Sequence, residues 1–296
     1  MPTASTGGVE IAYELSGFPP RGHLPLLFVQ GLGGQLISWD EAFFDKFTER
    51  GFGVVRFDNR DSGFSTKFET TGLGHLGQII NGESTSAAYS ISDMANDAAG
   101  LVNALGIGPV HVVGVSMGGM ISQALAIGHP NLVASLCSIM SSTGDRSVGS
   151  PTAEALDALL KPPPSSREEA IESGLATWRV IWGGGYPFEE EMIQDKIGRE
   201  YDRSFYPAGV ARQIGAIVTA IDRTDALGKL RMPALVIHGD QDPLITFSGG
   251  EATASAIAGS RFLALPGVGH CIPRPLWDTV VDAIIENAIQ AEVERA

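Results

Sequence analysis

The sequence predicts an α/β fold built on a mostly parallel, doubly wound sheet into which a helical segment is inserted. Two nearly continuous apolar runs, at residues 110–115 and 133–140, have the length and composition of parallel strands that are covered on both faces. Strand-like and helix-like segments alternate along most of the chain, which is the pattern of right-handed β-α-β crossovers. Residues 145–206 break the alternation, since they contain helical patterns only.

The individual elements follow from local patterns. Apolar residues at positions 9, 11, 13 and 15 alternate with polar or small ones, which predicts a half-buried edge strand. Short apolar runs at 26–30 and 54–58 flank a predicted helix at 39–50, for which Ser38 and Glu41 would form a capping box. Further helices are predicted at 92–105 and from Pro275 onward, and further strands at 234–238 and 262–265.

Residues 145–206 are predicted to form a helical cap on a core made of residues 1–144 and 207–296. Three helix-like segments, at 152–160, 166–182 and 188–205, are separated by a proline run at 162–164 and a glycine run at 183–185. We expect this cap to roof a substrate pocket and to set substrate choice without joining the chemistry.

The composition excludes several classes of partner. The 296 residues include 20 Lys and Arg against 34 Asp and Glu, a net charge of −14, so nucleic acid and anionic membrane surfaces should be repelled.

Residues 98–144 carry no Asp, Glu, Lys or Arg, but glycines and prolines interrupt them, which indicates core elements rather than a membrane span. Cys137 and Cys271 are too few for a disulfide framework and lack the Cys/His spacing of a zinc site, and the N-terminus has no secretory pattern. We therefore expect a cytoplasmic protein without a metal site.

The pentapeptide Gly114-Val115-Ser116-Met117-Gly118 carries the clearest functional signal. It follows an apolar strand and precedes a helical pattern at 120–127, which is the context of a nucleophilic serine on a sharp strand-to-helix turn. Glycine two positions before and two positions after the serine relieves the crowding of the backbone at such a turn. We therefore predict that Ser116 is a catalytic nucleophile rather than a structural serine.

A serine nucleophile needs a general base, and the base needs an acid that orients it. His270 is the only histidine beyond the last predicted strand, and it lies in a glycine-rich loop that can return the imidazole to the carboxyl edge of the sheet. Asp240 and Asp242 both follow the strand at 234–238 and reach the same edge. Serine, then acid, then histidine is the chain order known for this type of turn.

These motifs resemble the α/β-hydrolase superfamily across nearly the whole chain, with G-x-S-M-G-G at the turn, H-G-x-x-D after the late strand and G-x-G-H near the end. The resemblance assigns the acid to Asp242, the second aspartate of the pair, and leaves Asp240 as a turn residue that binds its own backbone. It also implies an oxyanion hole formed by the backbone N–H groups of Met117 and Leu32. The loop with Leu32 begins with Gln30, where family members usually have histidine.

The segment at residues 58–65 resembles the D-x-R-G-x-G-x-S stretch of the superfamily, with Asp61 at the usual glycine position. In this form it is similar to the branch that contains aclacinomycin methylesterase and mycobacterial carboxylesterases. We expect Asp58 and Arg60 to hold a loop beside the site rather than to take part in the chemistry.

The resemblance implies a serine hydrolase that cleaves carboxylic esters of small to medium apolar substrates through an acyl-enzyme, without a cofactor. Ser116, His270 and Asp242 would form the catalytic triad. The substrate pocket is expected to be lined by five aromatic residues of the cap: Trp178, Trp182, Tyr186, Phe188 and Phe205. The alternative for each of them is a place in a core within the cap.

Three functional alternatives stay open on the sequence alone. The same triad and turn serve C–C bond hydrolases and cofactor-free perhydrolases. A peptidase of the proline iminopeptidase type is the second alternative, although such enzymes commonly have Trp where this chain has Met117. The third is a ligand receptor on the same fold with little turnover. The sequence also leaves open whether the chain is a monomer or a homo-oligomer.

Overall fold

The computed structural model describes residues 1–69 and 87–295, and the strands within these ranges form one sheet. The strands are β1 (Thr3–Thr6), β2 (Val9–Ser16), β3 (Leu26–Val29), β4 (Val54–Phe57), β5 (Val110–Val115), β6 (Val133–Ile139), β7 (Ala234–Gly239) and β8 (Arg261–Leu265). Their order across the sheet is β1-β2-β4-β3-β5-β6-β7-β8. The six strands β4, β3, β5, β6, β7 and β8 run parallel to one another. β2 pairs antiparallel with β4, and β1 pairs antiparallel with β2 at the edge. The predicted mostly parallel α/β sheet is confirmed.

Helices cover both faces of this sheet. They are α1 (Glu41–Thr48), α2 (Ile91–Leu105), α3 (Met117–Gly128), α4 (Ala153–Leu159), α5 (Arg167–Ile181), α6 (Glu190–Ser204), α7 (Pro207–Val218), α8 (Thr224–Leu227), α9 (Phe247–Ala256) and α10 (Trp277–Arg295). One apolar core joins α2 and α3 to the sheet through Leu27 and Val29, and a second joins α1 and α10 through Leu26 and Phe28. Successive strand residues point to opposite faces, so the two cores lie on opposite sides of the sheet. No helix within the described ranges is long and apolar enough to cross a membrane.

Two local predictions were wrong in detail. β2 lies between β1 and β4, so the edge strand is β1, whose four residues are too few to give a clear alternation. Helix α1 begins after Asp40, whose carboxylate accepts the Ala42 N–H at 3.0 Å. Ser38 instead accepts the Gln35 N–H and donates to Glu200 of α6. The predicted capping serine therefore joins two distant parts of the chain.

The helical stretch between β6 and β7 is longer than the predicted cap. Helices α4, α5 and α6 match the three predicted helical segments. Helices α7 and α8 then extend the stretch to residue 227, shortly before β7 begins. The division into a core and a cap at residues 145 and 206 stays a prediction.

Three charged side chains of the segment after β4 each pair with an opposite charge on a helix. The pairs are Asp58–Arg203, Arg60–Asp97 and Asp61–Arg212. All six side chains are at most 10% exposed. Since Arg203 lies on α6 and Arg212 on α7, two of the pairs join this segment to the helical stretch. These contacts agree with the prediction that Asp58 and Arg60 hold the loop.

The Asp58 carboxylate joins three parts of the chain. Its Oδ1 accepts the Leu36 N–H at 2.7 Å, and its Oδ2 accepts the Phe64 N–H at 2.8 Å and Arg203 Nη2 at 2.7 Å. Leu36 belongs to the loop after β3 and Phe64 to the loop after β4. One buried carboxylate thus fixes two loops at the carboxyl edge of the sheet against helix α6.

Asp61 stands where the superfamily stretch usually has glycine, and it adopts a backbone conformation that glycine favours. Its φ is 67°, in the left-handed region. Its carboxylate accepts hydrogen bonds from the Tyr89 hydroxyl at 2.7 Å and the Phe68 N–H at 2.8 Å, besides the guanidinium of Arg212. These contacts offset the backbone strain that a side chain carries at this position.

Replacing Arg203 by Met should lower the free energy of unfolding by about 3 kcal/mol or more, because Asp58 would keep a buried charge without its counter-charge. The matched control is Arg199→Met on the same helix, since the Arg199–Asp195 pair is exposed and should contribute less than about 0.5 kcal/mol. Urea denaturation measures both values. Equal losses in the two variants would contradict a structural role for the Asp58 pair.

Candidate active site

Ser116 lies on the sharp turn between β5 and α3. Its φ of 57° and ψ of −122° fall outside the helical and extended regions, which costs a residue with a side chain conformational energy. The positions two before and two after Ser116 must be glycine because they have no space for a side chain. A Cβ on Gly114 would lie 2.1 Å from the Gly118 carbonyl oxygen, and a Cβ on Gly118 would lie 2.1 Å from the Val29 carbonyl oxygen. Ser116 is partly exposed, whereas residues 117–120 are buried. The predicted turn is present and displays the serine at the carboxyl edge of the sheet.

Asp242 and His270 meet at the same edge. His270 Nδ1 lies 2.7 Å from Asp242 Oδ2, a geometry in which Nδ1 donates to the carboxylate and, in the neutral imidazole, Nε2 is the acceptor. The other oxygen, Oδ1, accepts the N–H groups of Leu244 and Ile245 at 2.8 and 3.0 Å, and the Asp242 side chain is fully buried. Within the described ranges no hydrogen bond joins the Ser116 hydroxyl to His270. The structure thus brings two of the three predicted residues into contact.

His238 lies behind Asp242 and was missed by the sequence reasoning. Its Nε2 donates to the Ile245 carbonyl oxygen at 2.8 Å and lies 3.5 Å from Asp242 Oδ2. Burial lowers the pKa of His238, so the ring is neutral at pH 7 and places an N–H dipole, not a positive charge, near the carboxylate. His238 is the histidine of the H-G-x-x-D motif, but the motif does not show which atoms the imidazole contacts.

The prediction that Asp240 binds its own turn was wrong. Its Oδ1 accepts the Gly267 N–H at 2.7 Å, and the N–H of the next residue, Gln241, donates to the Val268 carbonyl oxygen at 2.9 Å. The turn after β7 is therefore attached to the loop after β8. The two aspartates contact different parts of that loop, Asp240 the backbone and Asp242 the imidazole of His270.

The loop predicted to supply an oxyanion donor passes directly over Ser116. A Cβ on Gly31 would lie 3.2 Å from Ser116 Cβ, so the loop backbone packs against the serine side chain. Neither the Leu32 N–H nor the Met117 N–H donates a hydrogen bond to another residue of the described ranges. Both N–H groups are thus unpaired within those ranges, and their role in an oxyanion hole stays a prediction.

Neighbouring amide side chains hold this loop. The Gly33 N–H donates to Gln213 Oε1 at 2.8 Å, and Gln213 Nε2 donates to the Arg60 carbonyl oxygen at 2.9 Å. Asn59 Nδ2 donates to the Gln30 carbonyl oxygen at 3.0 Å. The Gln30 side chain is buried, and its Nε2 has no partner in the described part of the chain. The loop backbone is therefore held although Gln30 stands where histidine is usual.

The five aromatic residues predicted to line a pocket lie in two places. Trp178 and Phe188 each pack edge to face on Trp182, with ring centroids 6.5 and 5.2 Å away. Trp182 is 3% exposed, and its Nε1 donates to the Tyr186 carbonyl oxygen at 3.2 Å. Phe205 is 42% exposed and stacks on a neighbouring tyrosine of α6. Which of the five contact substrate stays a prediction.

The thiol of Cys271, next to His270 in the sequence, does not add a second nucleophile to the site. Burial raises the pKa of the Cys271 thiol to about 12, so this neighbour of His270 is a protonated thiol at pH 7, and its Sγ donates to the Trp182 carbonyl oxygen. Among residues 1–69 and 87–295, no three His, Cys, Asp or Glu side chains are placed to hold a metal ion. The chemistry that these residues offer is that of a hydroxyl, an imidazole and backbone N–H donors.

Comparison with known proteins finds relatives of similar length. Rhodomycin D methylesterase DauP of Streptomyces sp. (strain C5) is 25% identical over 314 aligned residues, which cover 99% of this chain and 100% of DauP. The bifunctional esterase/perhydrolase DCH of Acinetobacter calcoaceticus is 26% identical, with 92% of this chain and 94% of DCH covered. Among solved structures, the enol-lactonase from Burkholderia xenovorans LB400 is 24% identical and has a TM-score of 0.74, with 97% of this chain and 99% of that one covered.

The family model described as the alpha/beta hydrolase fold matches residues 25–273. This range contains the turn at Ser116, the Asp242 loop and His270. The match, the sheet order and the methylesterase relatives confirm the resemblance that the motifs indicated. The chain therefore belongs to the α/β hydrolase fold family.

Proposed function

We propose that the protein is a serine hydrolase that cleaves carboxylic esters of small to medium apolar substrates through an acyl-enzyme. The observation that carries the proposal is the 2.7 Å contact between His270 Nδ1 and Asp242 Oδ2, which leaves Nε2 as a base at the edge that displays Ser116. The methylesterase and esterase/perhydrolase relatives support an ester as the substrate class.

In the proposed first half-reaction, Ser116 Oγ attacks the ester carbonyl and His270 Nε2 takes the hydroxyl proton. No hydrogen bond joins the two groups in the described structure, so the proton transfer requires the serine hydroxyl to turn toward the imidazole. Asp242 stays ionised and stabilises the imidazolium. The tetrahedral oxyanion accepts the N–H groups of Met117 and Leu32, each of which contributes about 3 kcal/mol to the transition state by analogy with other acyl transfers.

The first half-reaction ends when the alcohol leaves and the acyl-enzyme forms, and the second half-reaction then restores the serine. The imidazolium of His270 gives its proton to the leaving alcohol as the tetrahedral intermediate collapses to the acyl-enzyme. Water then attacks the acyl carbonyl, with His270 again taking a proton, and the carboxylic acid leaves as Ser116 regains its hydrogen. The same two N–H donors serve both tetrahedral intermediates.

Perhydrolysis is a second candidate, which the esterase/perhydrolase relative favours. In that reaction hydrogen peroxide replaces water as the nucleophile on the acyl-enzyme and yields a peroxyacid. Measuring peroxyacid formation from acetate and peroxide, against hydrolysis of an acetate ester, separates the two. A peroxyacid rate far below the hydrolysis rate at millimolar peroxide would exclude it.

The remaining alternatives differ from ester hydrolysis in one measurable property each. A C–C bond hydrolase would turn over a vinylogous diketone, and a peptidase of the proline iminopeptidase type would release an N-terminal proline from an amide. A receptor would show labelling of Ser116 without steady turnover. A panel of short and long p-nitrophenyl esters, methyl esters, thioesters and lactones tests the proposal beside these substrates.

Replacing Ser116 by Ala should abolish ester hydrolysis, with a loss in kcat of about 10³-fold or more, because the nucleophile is removed. Covalent labelling by a fluorophosphonate should disappear as well. The control is Ser147→Ala, which removes an exposed serine hydroxyl that bonds Asp145 and should leave both readouts unchanged. A Ser116→Ala protein that keeps most of its activity would refute the proposed mechanism.

The two aspartates after β7 give a matched pair of variants. Asp242→Asn should lower kcat by about 10⁴-fold, because an amide at this position favours the wrong tautomer of His270. Asp240→Asn should keep kcat within about tenfold, since its remaining amide oxygen still accepts the Gly267 N–H. Steady-state kinetics on one p-nitrophenyl ester measures both, and the opposite order would move the acid to Asp240.

A further inference from the structure

The backbone between α5 and α6 lies directly against the loop that carries His270. The His270 N–H donates to the Ile181 carbonyl oxygen at 2.6 Å, and the Gly269 N–H donates to the Trp182 carbonyl oxygen at 2.9 Å. A third bond runs the other way, from the Gly185 N–H to the Gly267 carbonyl oxygen at 2.8 Å. Three backbone hydrogen bonds thus join a segment outside the sheet to the histidine loop.

Glycines on both sides make this close approach possible. Gly183 has a φ of 87°, and a Cβ on it would lie 2.4 Å from the Gly269 nitrogen. A Cβ on Gly269 would lie 2.2 Å from the Ile181 carbonyl oxygen, and one on Gly185 would lie 2.5 Å from Gly267 Cα. The contact is therefore made by backbone against backbone, with no room for a methyl group at either side.

The remaining hydrogen bonds of the histidine loop show what this contact adds. The turn after β7 holds the first part of the loop, through Asp240 to the Gly267 N–H and through the Gln241 N–H to the Val268 carbonyl oxygen. The next two backbone N–H groups, those of Gly269 and His270, both donate to the segment between α5 and α6. The backbone of His270 is thus held by the helical stretch, whereas the turn after β7 holds its imidazole through Asp242.

We propose that Gly183 and Gly185 are positioning residues for the reaction, because their contact with Gly267 and Gly269 sets the place of the His270 imidazole. This inference rests on the proposed function, in which His270 is the base. It differs from the expectation that the cap only roofs the pocket. Movement of the end of α5 moves the His270 backbone with it, so the position of the helical stretch determines whether the base is aligned with Ser116.

Kinetics distinguishes positioning from roofing. A residue that only touches the far part of a long substrate changes KM or the dependence on acyl length. A residue that places the base changes kcat for every ester by the same factor, since each ester needs the same proton transfer. A short and a long p-nitrophenyl ester, acetate and octanoate, therefore separate the two roles.

The chain offers a matched control within the same glycine run. A Cβ on Gly184 would meet only the flexible end of Gln241, at 3.3 Å from Oε1, and Gly184 is exposed. Gly184→Ala thus adds the same methyl group one position away without entering the contact. Gly183→Ala places its methyl group against the Gly269 nitrogen.

The experiment compares these two variants in the full-length protein. We expect Gly183→Ala to lower kcat by about 10²-fold for both esters, with KM within about twofold, because small displacements of a reacting group have costs of this size. Gly184→Ala should keep kcat within about twofold. The low-field proton resonance of the His270–Asp242 hydrogen bond should shift or vanish in Gly183→Ala and persist in Gly184→Ala.

The inference is overturned if folded Gly183→Ala has the kcat and proton resonance of the unchanged protein, or if its effect is confined to KM for octanoate. Should Gly183→Ala fail to fold by circular dichroism, Gly185→Ala applies the same test, because its backbone is outside the left-handed region and its methyl group meets Gly267. Failure of the proposed function is distinguishable: it would appear as hydrolysis that Ser116→Ala retains, while the proton resonance still reports on the position of His270.

Discussion

The buried carboxylate of Asp58 constrains how the loops around the site are arranged. A charge removed from water must be balanced by a counter-charge and by donors, which Arg203 and the N–H groups of Leu36 and Phe64 supply. Leu36 follows Leu32 in the loop that passes over Ser116, and Arg203 belongs to α6. The arrangement of the loop that passes over Ser116 and that of the helical stretch therefore depend on the same desolvated group.

The sequence could predict those parts of the molecule in which the local residue pattern directly reflects how the segment packs. β5 and β6 are mostly apolar because both faces are covered, and the glycine spacing around Ser116 reflects a turn in which Gly114 and Gly118 leave no space for a side chain. Chain order and the two late strands bring His270 and both late aspartates to one edge, and the resemblance to the superfamily selects Asp242, which contacts His270 in the structure.

The contacts that sequence could not predict join residues far apart in the chain. Arg203 and Asp58 are 145 positions apart, and Arg212 and Asp61 are 151 positions apart, so no local pattern links either carboxylate to its arginine. The glycine run at 183–185 had a similar ambiguity, since glycine is typical both of a connection between helices and of a close backbone approach. Only the position of Gly267 and Gly269 decides between these meanings.

The contact between residues 181–185 and the loop at 267–270 is made by backbone atoms, so substitution cannot adjust it by changing the size of a contacting side chain. A side chain added at Gly183, Gly185 or Gly269 would enter this contact, so a substitution on one side requires a shift of the backbone on the other. Exchange of the helical stretch with that of another family member would therefore have to preserve this contact. In the proposed mechanism, a transplanted stretch would need a matching loop at residues 267–270 in order to keep His270 aligned with Ser116.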